Sequence, residues 1–500
     1  MISNADVNEL QLEDVEDYAT DYPPVGFPQA EENIHTTSAE EKPKYRRNKI
    51  IEVIRANKWV VGLVFIMMIL LIVIIAIASG SSKNQPSAGS TAGHLDPTSK
   101  HEPPIVIDPT SLDPAVTDPL MESLDALYDR HDLDKSTLGP AAGETPQNKA
   151  FYWLATDENL ENLDHNQRSQ RFALAVLYYS TNAVVNGYAT SPQPWVSAHL
   201  WLSKAHACEW KGIVCNSQQH IVGISLDRNN LSGSLPKELG ILGEKLTSLD
   251  LTSNTLHLEG KGFASLARLY KLETLLMDDN YLVYDKGLPF QIQNMENLQK
   301  LRLSYNLLSG VLEANHKVLS RLTKLTHLEI ESNFLSGTMP DVVGEMSNLV
   351  YLYMRRNELS FNLDFLKTGK LTNLFALWLD NNDVTGTIPT EVGLLTNLAS
   401  ISITNSSLAG SIPSQLGDLE GLRRLWLYSN KLTGNIPPQL DILDQLQVLE
   451  LHHNQLEGAM PLGVCALIDD CDYEFKSLTC DCNSLVQCAT PDCCTECFDQ

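Results

Sequence analysis

Residues 422–445 read LRRLWLYSNKLTGNIPPQLDILDQ, and residues 374–397 read LFALWLDNNDVTGTIPTEVGLLTN. Each stretch has leucines at alternate positions, then an asparagine, then a Gly-x-Ile-Pro element. The 24 residues between them, 398–421, carry the same leucine spacing and the same Gly-x-Ile-Pro ending. A fixed period with constant internal positions predicts a solenoid of stacked repeats, which we call rungs.

The pattern LxLxxNxL extends well beyond these copies. Its asparagine position recurs at intervals of 24 to 27 residues: Asn229, Asn254, Asn280, Asn306, Asn333, Asn357, Asn382, Ser406 (the one exception), Asn430 and Asn454. In each LxL the leucines should point into the core and the intervening residues outward, because side chains alternate along a strand. We therefore expect ten short parallel strands, with each asparagine bonded to backbone groups at the turn.

This pattern resembles the plant-type leucine-rich repeat (LRR) family over residues 220–462. The segment from Cys208 through Trp210 and Gly212 to Cys215 resembles that family's CxWxGxxC amino-terminal cap, and this implies a Cys208–Cys215 disulfide. The resemblance implies an α/β-type solenoid with its parallel sheet on the concave face. Two copies, LVYDKG at 282–287 and LSFNLD at 359–364, depart from the pattern, so we expect local bulging there.

The segment 118–219 should form a helical cap on the first rung. Asp118-Pro119 is typical of a helix start, with Leu120, Leu124 and Leu127 on one face, and Asp164 before Gln167 is typical of another. We expect Trp195 and Trp201 to pack in this cap.

Eight cysteines fall in the last segment, 463–500: Cys465, Cys471, Cys480, Cys482, Cys488, Cys493, Cys494 and Cys497. We predict a disulfide-stapled C-terminal cap whose pairing the sequence leaves open. Zinc is the alternative, but Cys494 and Cys497 form a C-x2-C pair without a second such pair.

Residues 59–79 read WVVGLVFIMMILLIVIIAIAS, a stretch without charge that is long enough for a transmembrane helix. Lysines and arginines concentrate before it, which predicts a cytoplasmic N-terminus and an extracellular remainder, as in a single-pass type II protein of the plasma membrane. The basic flank should also touch anionic lipid. We expect a disordered tail and juxtamembrane segment over 1–58 and a flexible stalk over 80–117. Tail, span, cap and cysteine-rich end together resemble membrane-anchored LRR proteins of diatoms and related algae.

The net charge of −26 argues against nucleic-acid binding. Neither a phosphate-binding loop, a kinase signature, HExxH nor GxSxG occurs, so we predict neither an enzyme nor a bound cofactor or metal. We expect the pair His452-His453 to be polar residues exposed to solvent.

Recognition by the outward strand positions remains. The predicted ligand-binding strip comprises Tyr353, Arg355, Trp378, Asp380, Trp426, Tyr428 and Glu450. Aromatic rings that face water on a regular sheet are typical of a binding surface, although rings packed on one another for sheet propensity are the alternative.

The leading hypothesis is a receptor-like protein that binds an extracellular peptide, protein or glycan and signals through a membrane co-receptor. The alternatives are an adhesive protein docked on wall or matrix, and an inhibitor of extracellular enzymes. Two sequons, at Asn230 and Asn405, predict glycosylation.

Overall fold

The computed structural model describes residues 113–182, 195–258, 260–469, 477–481, 486–487 and 496–498. The predicted tail, membrane span and most of the stalk lie outside these residues, as do most of the C-terminal cysteines. Among the helices described, none is both long enough and apolar enough to cross a bilayer.

Five α-helices are described, three of them in the N-terminal cap: α1 (Pro114–His131), α2 (Pro146–Ala155), α3 (His165–Thr181), α4 (His316–Leu319) and α5 (Leu462–Asp469). Helix α1 begins earlier than predicted, because Asp113 rather than Asp118 caps it and Pro114 fills its first turn. The helix therefore begins within the last residues of the segment predicted as stalk. The other start signal is confirmed, since Asp164 and Gln167 form a reciprocal capping box at α3.

A main sheet of 13 strands runs through the described part of the chain, and its strands follow one another in sequence order. They are β1 (Ile213–Cys215), β2 (Ile221–Ser225), β4 (Ser248–Asp250), β6 (Thr274–Leu276), β8 (Lys300–Arg302), β10 (His327–Glu329), β12 (Tyr351–Tyr353), β14 (Ala376–Trp378), β16 (Ser400–Ser402), β18 (Arg424–Trp426), β20 (Val448–Glu450), β22 (Ser477–Asp481) and β24 (Glu496–Phe498). All neighbours pair in parallel except β1, which is antiparallel to β2. The predicted parallel solenoid is confirmed.

The second strand of each rung lies after the asparagine turn. These strands are β3 (Ser232–Gly233), β5 (Thr255–Leu256), β7 (Val283–Tyr284), β9 (Leu307–Val311), β11 (Phe334–Gly337), β13 (Glu358–Asn362), β15 (Asp383–Thr385), β17 (Ala409–Gly410), β19 (Lys431–Asn435), β21 (Gln455–Ala459) and β23 (Val486–Gln487). Their series breaks between β5 and β7 and between β15 and β17. The bulge expected at 359–364 is absent, because β13 pairs with both β11 and β15.

Short 3-10 turns complete the cap and close the rungs: Lys135–Thr137, Pro140–Ala142, Leu160–Asn162, Ala207–Glu209, Lys237–Leu242, Gly260–Leu266, Phe290–Asn294, Leu312–Asn315, Asp341–Glu345, Leu363–Thr368, Thr390–Leu394, Ser414–Asp418 and Pro438–Ile442. In several rungs the proline of the Ile-Pro element stands directly before the turn, as Pro389 and Pro413 do. Its fixed φ suits that position.

The asparagine ladder ties each rung to the one before it. Asn254 shows the pattern: its Nδ2 donates to the carbonyl oxygens of Leu226, Leu251 and Thr252, while its Oδ1 accepts from the backbone N–H of Leu231. These are backbone groups that the bend would otherwise leave unpaired in the core. The predicted role of asparagine is confirmed, and the bonds additionally bridge two rungs.

A left-handed residue precedes every position of the ladder. All ten have φ between 48° and 60°, and none is glycine: Arg228, Ser253, Asp279, Tyr305, Ser332, Arg356, Asn381, Asn405, Ser429 and His453. Left-handed backbone is costly for such residues, so the ladder bonds must hold it in place at each turn.

The N-terminal cap closes the first rung with aromatic rings around one buried ion pair. Arg171 bonds Asp157 at 2.6 Å, and its guanidinium lies 5.1 Å from the ring of Trp210. Trp210 and Trp195 are almost fully buried, and Trp201 is buried against both. The packing predicted for Trp195 and Trp201 is confirmed.

The disulfide between Cys208 and Cys215 is present, with 5.6 Å between the Cα atoms. Cys465 is also disulfide-bonded. The main sheet continues beyond residue 462, because β22 pairs with β20 and β24 pairs with β22. The described strands of the predicted cysteine-rich cap thus extend the main sheet, and Leu478 joins the same core.

Candidate functional site: the outer sheet face

Side chains that point away from the leucine core form what we call the outer sheet face. The register of the parallel strands aligns them in rows. One row runs through Glu329, Tyr353, Trp378, Ser402, Trp426 and Glu450. Neighbouring strands lie about 4.8 Å apart, so adjacent members of a row contact each other.

Tyr353, Arg355 and Trp378 form the stacked unit of this face. The rings of Tyr353 and Trp378 lie 4.3 Å apart at 15°, and the Arg355 guanidinium lies 4.7 Å from the Trp378 ring. The indole Nε1 of Trp378 donates to Ser400 Oγ at 2.9 Å. Tyr353 is 4% exposed and Trp378 is 6% exposed. The prediction that these two rings face water is wrong; they pack on one another, the alternative that the sequence left open.

The two charged residues predicted beside these rings are also engaged. Arg355 is half-buried and forms a bidentate pair with Glu331. Burial lowers the pKa of Arg355, but Glu331 outweighs that effect and leaves it raised. Asp380 is buried, contrary to its predicted exposure, and accepts from Ser402 Oγ at 2.6 Å and from the backbone N–H of Thr404 at 2.8 Å. It therefore holds the next rung in place.

Buried carboxylates continue the face toward the N-terminus. Arg302 contacts Asp278 at 2.6 Å and Glu329 at 3.3 Å. Burial raises the pKa of Glu329 to about 8 and that of Asp278 to about 6, and Arg302 opposes both shifts only in part. Glu329 and Glu331 occupy outward positions of their rung, and yet both are buried.

Trp426, Tyr428 and His452 form what we call the C-terminal aromatic patch. The rings of Tyr428 and His452 are nearly parallel, 4.6 Å apart at 8°. Trp426 and Tyr428 are half-buried, as is Glu450, which aligns with Trp426. These predicted site residues therefore lie together on an accessible part of the face.

The prediction that His452 is a polar residue exposed to solvent is wrong. The residue is 9% exposed, and its Nδ1 lies 2.6 Å from Thr479 Oγ1 on the next strand. The following residue, His453, is exposed in the left-handed turn.

One rung of small residues separates the stacked unit from the C-terminal aromatic patch. Its outward residues are Ser400, Ser402 and Thr404, all buried between larger neighbours. The same rung carries Ser406 in the ladder position, where its Oγ donates to the carbonyl of Asn382 at 3.0 Å. The sequon residue Asn405 is exposed beside it, while Asn230 is half-buried. Glycosylation at either asparagine stays a prediction.

Comparison with known proteins supports the interpretation of the sequence repeat as a leucine-rich repeat. Residues 421–443 match the family Leucine Rich Repeat. The match covers one rung of the solenoid. Its similarity to Receptor-like protein 41 of Arabidopsis thaliana is 30% identity over 209 residues, which covers 37% of this chain and 23% of that protein. An adenylate cyclase of Schizosaccharomyces pombe is 30% identical over 167 residues, covering 33% of this chain and 9% of the cyclase.

The crystal structure of a TDR receptor aligns with a TM-score of 0.45 and 30% identity, over 53% of this chain and 42% of the receptor. The leucine-rich repeat chain spans less than a quarter of either relative matched by sequence. Because parts of a receptor-like protein and of a cyclase are both similar to this chain, the similarity indicates the fold and does not decide the activity.

Proposed function

We propose that this leucine-rich repeat chain is a cell-surface receptor-like protein whose C-terminal aromatic patch binds an extracellular peptide, protein or glycan. The observation that carries the proposal is the half-exposure of Trp426 and Tyr428, two large aromatic residues at neighbouring outward positions of one rung. Large rings that are partly open to water are the usual anchors of protein interfaces and stack readily on sugars. Glu450 beside Trp426 would add a negative group for a basic or hydroxyl-bearing ligand.

The stacked unit is a support for this site rather than part of it. Trp378 and Tyr353 already cover each other, and Asp380 bonds the small rung that lies beside Trp426. Of the ligand-binding strip predicted from the sequence, the proposed site therefore keeps only Trp426, Tyr428 and Glu450.

The proposal keeps the predicted topology: a single-pass type II membrane protein of the plasma membrane with the repeats outside. The Cys208–Cys215 disulfide supports an oxidising compartment for the cap, since such bonds persist outside the cytosol. The names of the Arabidopsis relatives support a receptor-like role. Signalling through a membrane co-receptor, lipid contact by the basic flank, the likeness to algal membrane-anchored proteins and the lack of catalytic activity all belong to the proposal.

Binding by the full-length chain in detergent tests the proposal. The wild-type chain, immobilised and exposed to a fractionated extracellular extract, should retain a component that the double variant Trp426→Ala/Tyr428→Ala binds at least about 10-fold more weakly, because two anchors worth over 1 kcal/mol each are removed. Phe290→Ala is the matched control, since it removes an aromatic residue that is 55% exposed outside this face.

Equal retention by wild type and the double variant would contradict binding through the patch. In that case the adhesive or inhibitory alternatives, acting through another surface, would replace it.

A further inference from the structure

The described part of the chain contains an open cavity with a net positive lining, which includes none of the outer-face residues named above. Its volume is about 100 Å³, and it lies where helices α1 and α3 meet the first rungs. Six of the thirteen residues that line it are charged or carry an imidazole: Arg130, His131, His165, His220, Glu244 and Lys245. A cavity of this size has room for several water molecules or one small polyatomic ion.

Two cations of this lining lack partners. Neither Arg130 nor Lys245 forms an ion pair with any residue that the structure describes. Other cations of the cap do pair, as Lys135 does with Asp129 at 2.8 Å and Lys149 with Glu144 at 3.2 Å. Both side chains are exposed, so each is free to turn toward an anion bound at the cavity.

Histidines add hydrogen-bonding capacity. His220 Nδ1 is buried and has no hydrogen-bond partner within the described structure. Leaving a buried polar atom without a partner is unfavourable, and an oxygen acceptor in the cavity would satisfy it. Burial, Arg268 and Arg130 lower the pKa of His131, whereas Glu244 opposes them weakly, which indicates a positive potential here.

The start of helix α3 faces the same cavity, because His165 and Asn166 are its first two residues and both line it. The N-terminus of a 17-residue helix carries a partial positive charge that favours anions. Two carboxylates oppose it: Asp164 caps the helix, and Glu244 belongs to the lining. Because Arg130 and Lys245 outnumber Glu244, the formal charge of the lining remains positive.

We propose that this cavity binds one small tetrahedral oxyanion, phosphate or sulfate, held between Arg130 and Lys245 with His220 as a hydrogen-bond donor. The anion would join the helical cap to the first rungs.

Calorimetric titration of the full-length chain with inorganic phosphate, at ionic strength held constant with chloride, tests this site. Wild type should bind one phosphate saturably, and Arg130→Gln/Lys245→Gln should bind at least about 10-fold more weakly. Lys317→Gln is the control, because Lys317 is an exposed lysine on another rung and its loss should change nothing. Absent saturation in wild type, or equal affinity in the double variant, would overturn the proposal.

The variant Asn166→Asp provides a second test of the site, and it leaves both cations in place. The added carboxylate at the exposed rim should weaken phosphate binding by repulsion, and unchanged affinity would count against the site. Sulfate should compete with phosphate, while equal competition by acetate would refute the tetrahedral preference. Methyl phosphate separates the sources: competition equal to that of phosphate assigns the site to a phosphate carried on another molecule, and weak competition assigns it to the free ion.

Discussion

Trp378 and Trp426 occupy the same position in repeats two rungs apart, and the register places both in one row with Ser402 between them. Trp378 is closed in by Tyr353, Arg355 and Ser400, whereas Trp426 stays half-exposed. A repeat position therefore does not decide whether its side chain is structural or available. The neighbours one rung away decide it, because they lie within contact distance across the strands.

The largest expected effect separates the two tryptophans by stability. Trp378→Ala should lower the free energy of unfolding by about 3 kcal/mol, because it removes a buried ring, the stacking of that ring on Tyr353 and a hydrogen bond. Trp426→Ala should cost about 1 kcal/mol, since its ring is already half in water. Denaturant unfolding followed by circular dichroism measures both. Equal losses would mean that the two sites do not differ in the way their exposure indicates.

The next effect tests the buried carboxylates that flank the Trp378 side. With its pKa raised to about 8, folded Glu329 retains a proton that the unfolded chain releases. Its contribution to stability is full below the unfolded pKa near 4.5 and is lost as the pH rises toward 8, with a slope of at most about 1.4 kcal/mol per pH unit.

Glu329→Gln should flatten this decline between about pH 6 and 8, as measured by unfolding midpoints across that range. Glu450→Gln is the matched control in the same row on the Trp426 side, where the carboxylate is half-exposed and its loss should leave the slope as in wild type. An unchanged slope in Glu329→Gln would show that another group produces the decline.

The smallest effect concerns the rung between the tryptophans. Ser406→Asn should restore the ladder and raise stability by about 1 kcal/mol, the usual net value of a hydrogen bond. The change keeps the Asn405 sequon intact. Asn430→Ser makes the opposite change one rung later, where Nδ2 donates to Ile403 O at 2.7 Å, and should destabilise. A loss of stability in Ser406→Asn would show that this rung has adapted to serine.

Much of this fold follows from the sequence, because each ladder asparagine and core leucine is specified by its own repeat. Burial on the outer face is different. Trp378 is covered by Tyr353, 25 residues away along the chain, and neither repeat alone reveals the contact. The stacking could have been anticipated by aligning outward residues of adjacent rungs, and the same alignment would have placed Arg302 beside Glu329.

The start of helix α1 and the presence of strand β22 differ from the sequence predictions for local reasons. Asp113-Pro114 and Asp118-Pro119 are equally good start signals, and Pro119 is tolerated inside α1. Strand β22 was missed because Cys480 stands where the pattern LxLxxN has its second leucine, in the stretch LTCDCN at 478–483. A cysteine can take a small apolar position in a repeat. Because the cysteines of this segment are assigned to disulfides, the repeat pattern is not extended to it from the sequence.

The antiparallel strand β1 bears on how this molecule behaves in a crowded solution. A parallel solenoid shows nearly the same hydrogen-bonding edge at every rung, so a bare first rung would invite the last rung of another molecule to continue the sheet. Because β1 reverses direction and ends at the Cys208–Cys215 bridge, that edge no longer matches a parallel rung. Any attempt to lengthen the solenoid should therefore insert 24-residue rungs internally and leave β1 first.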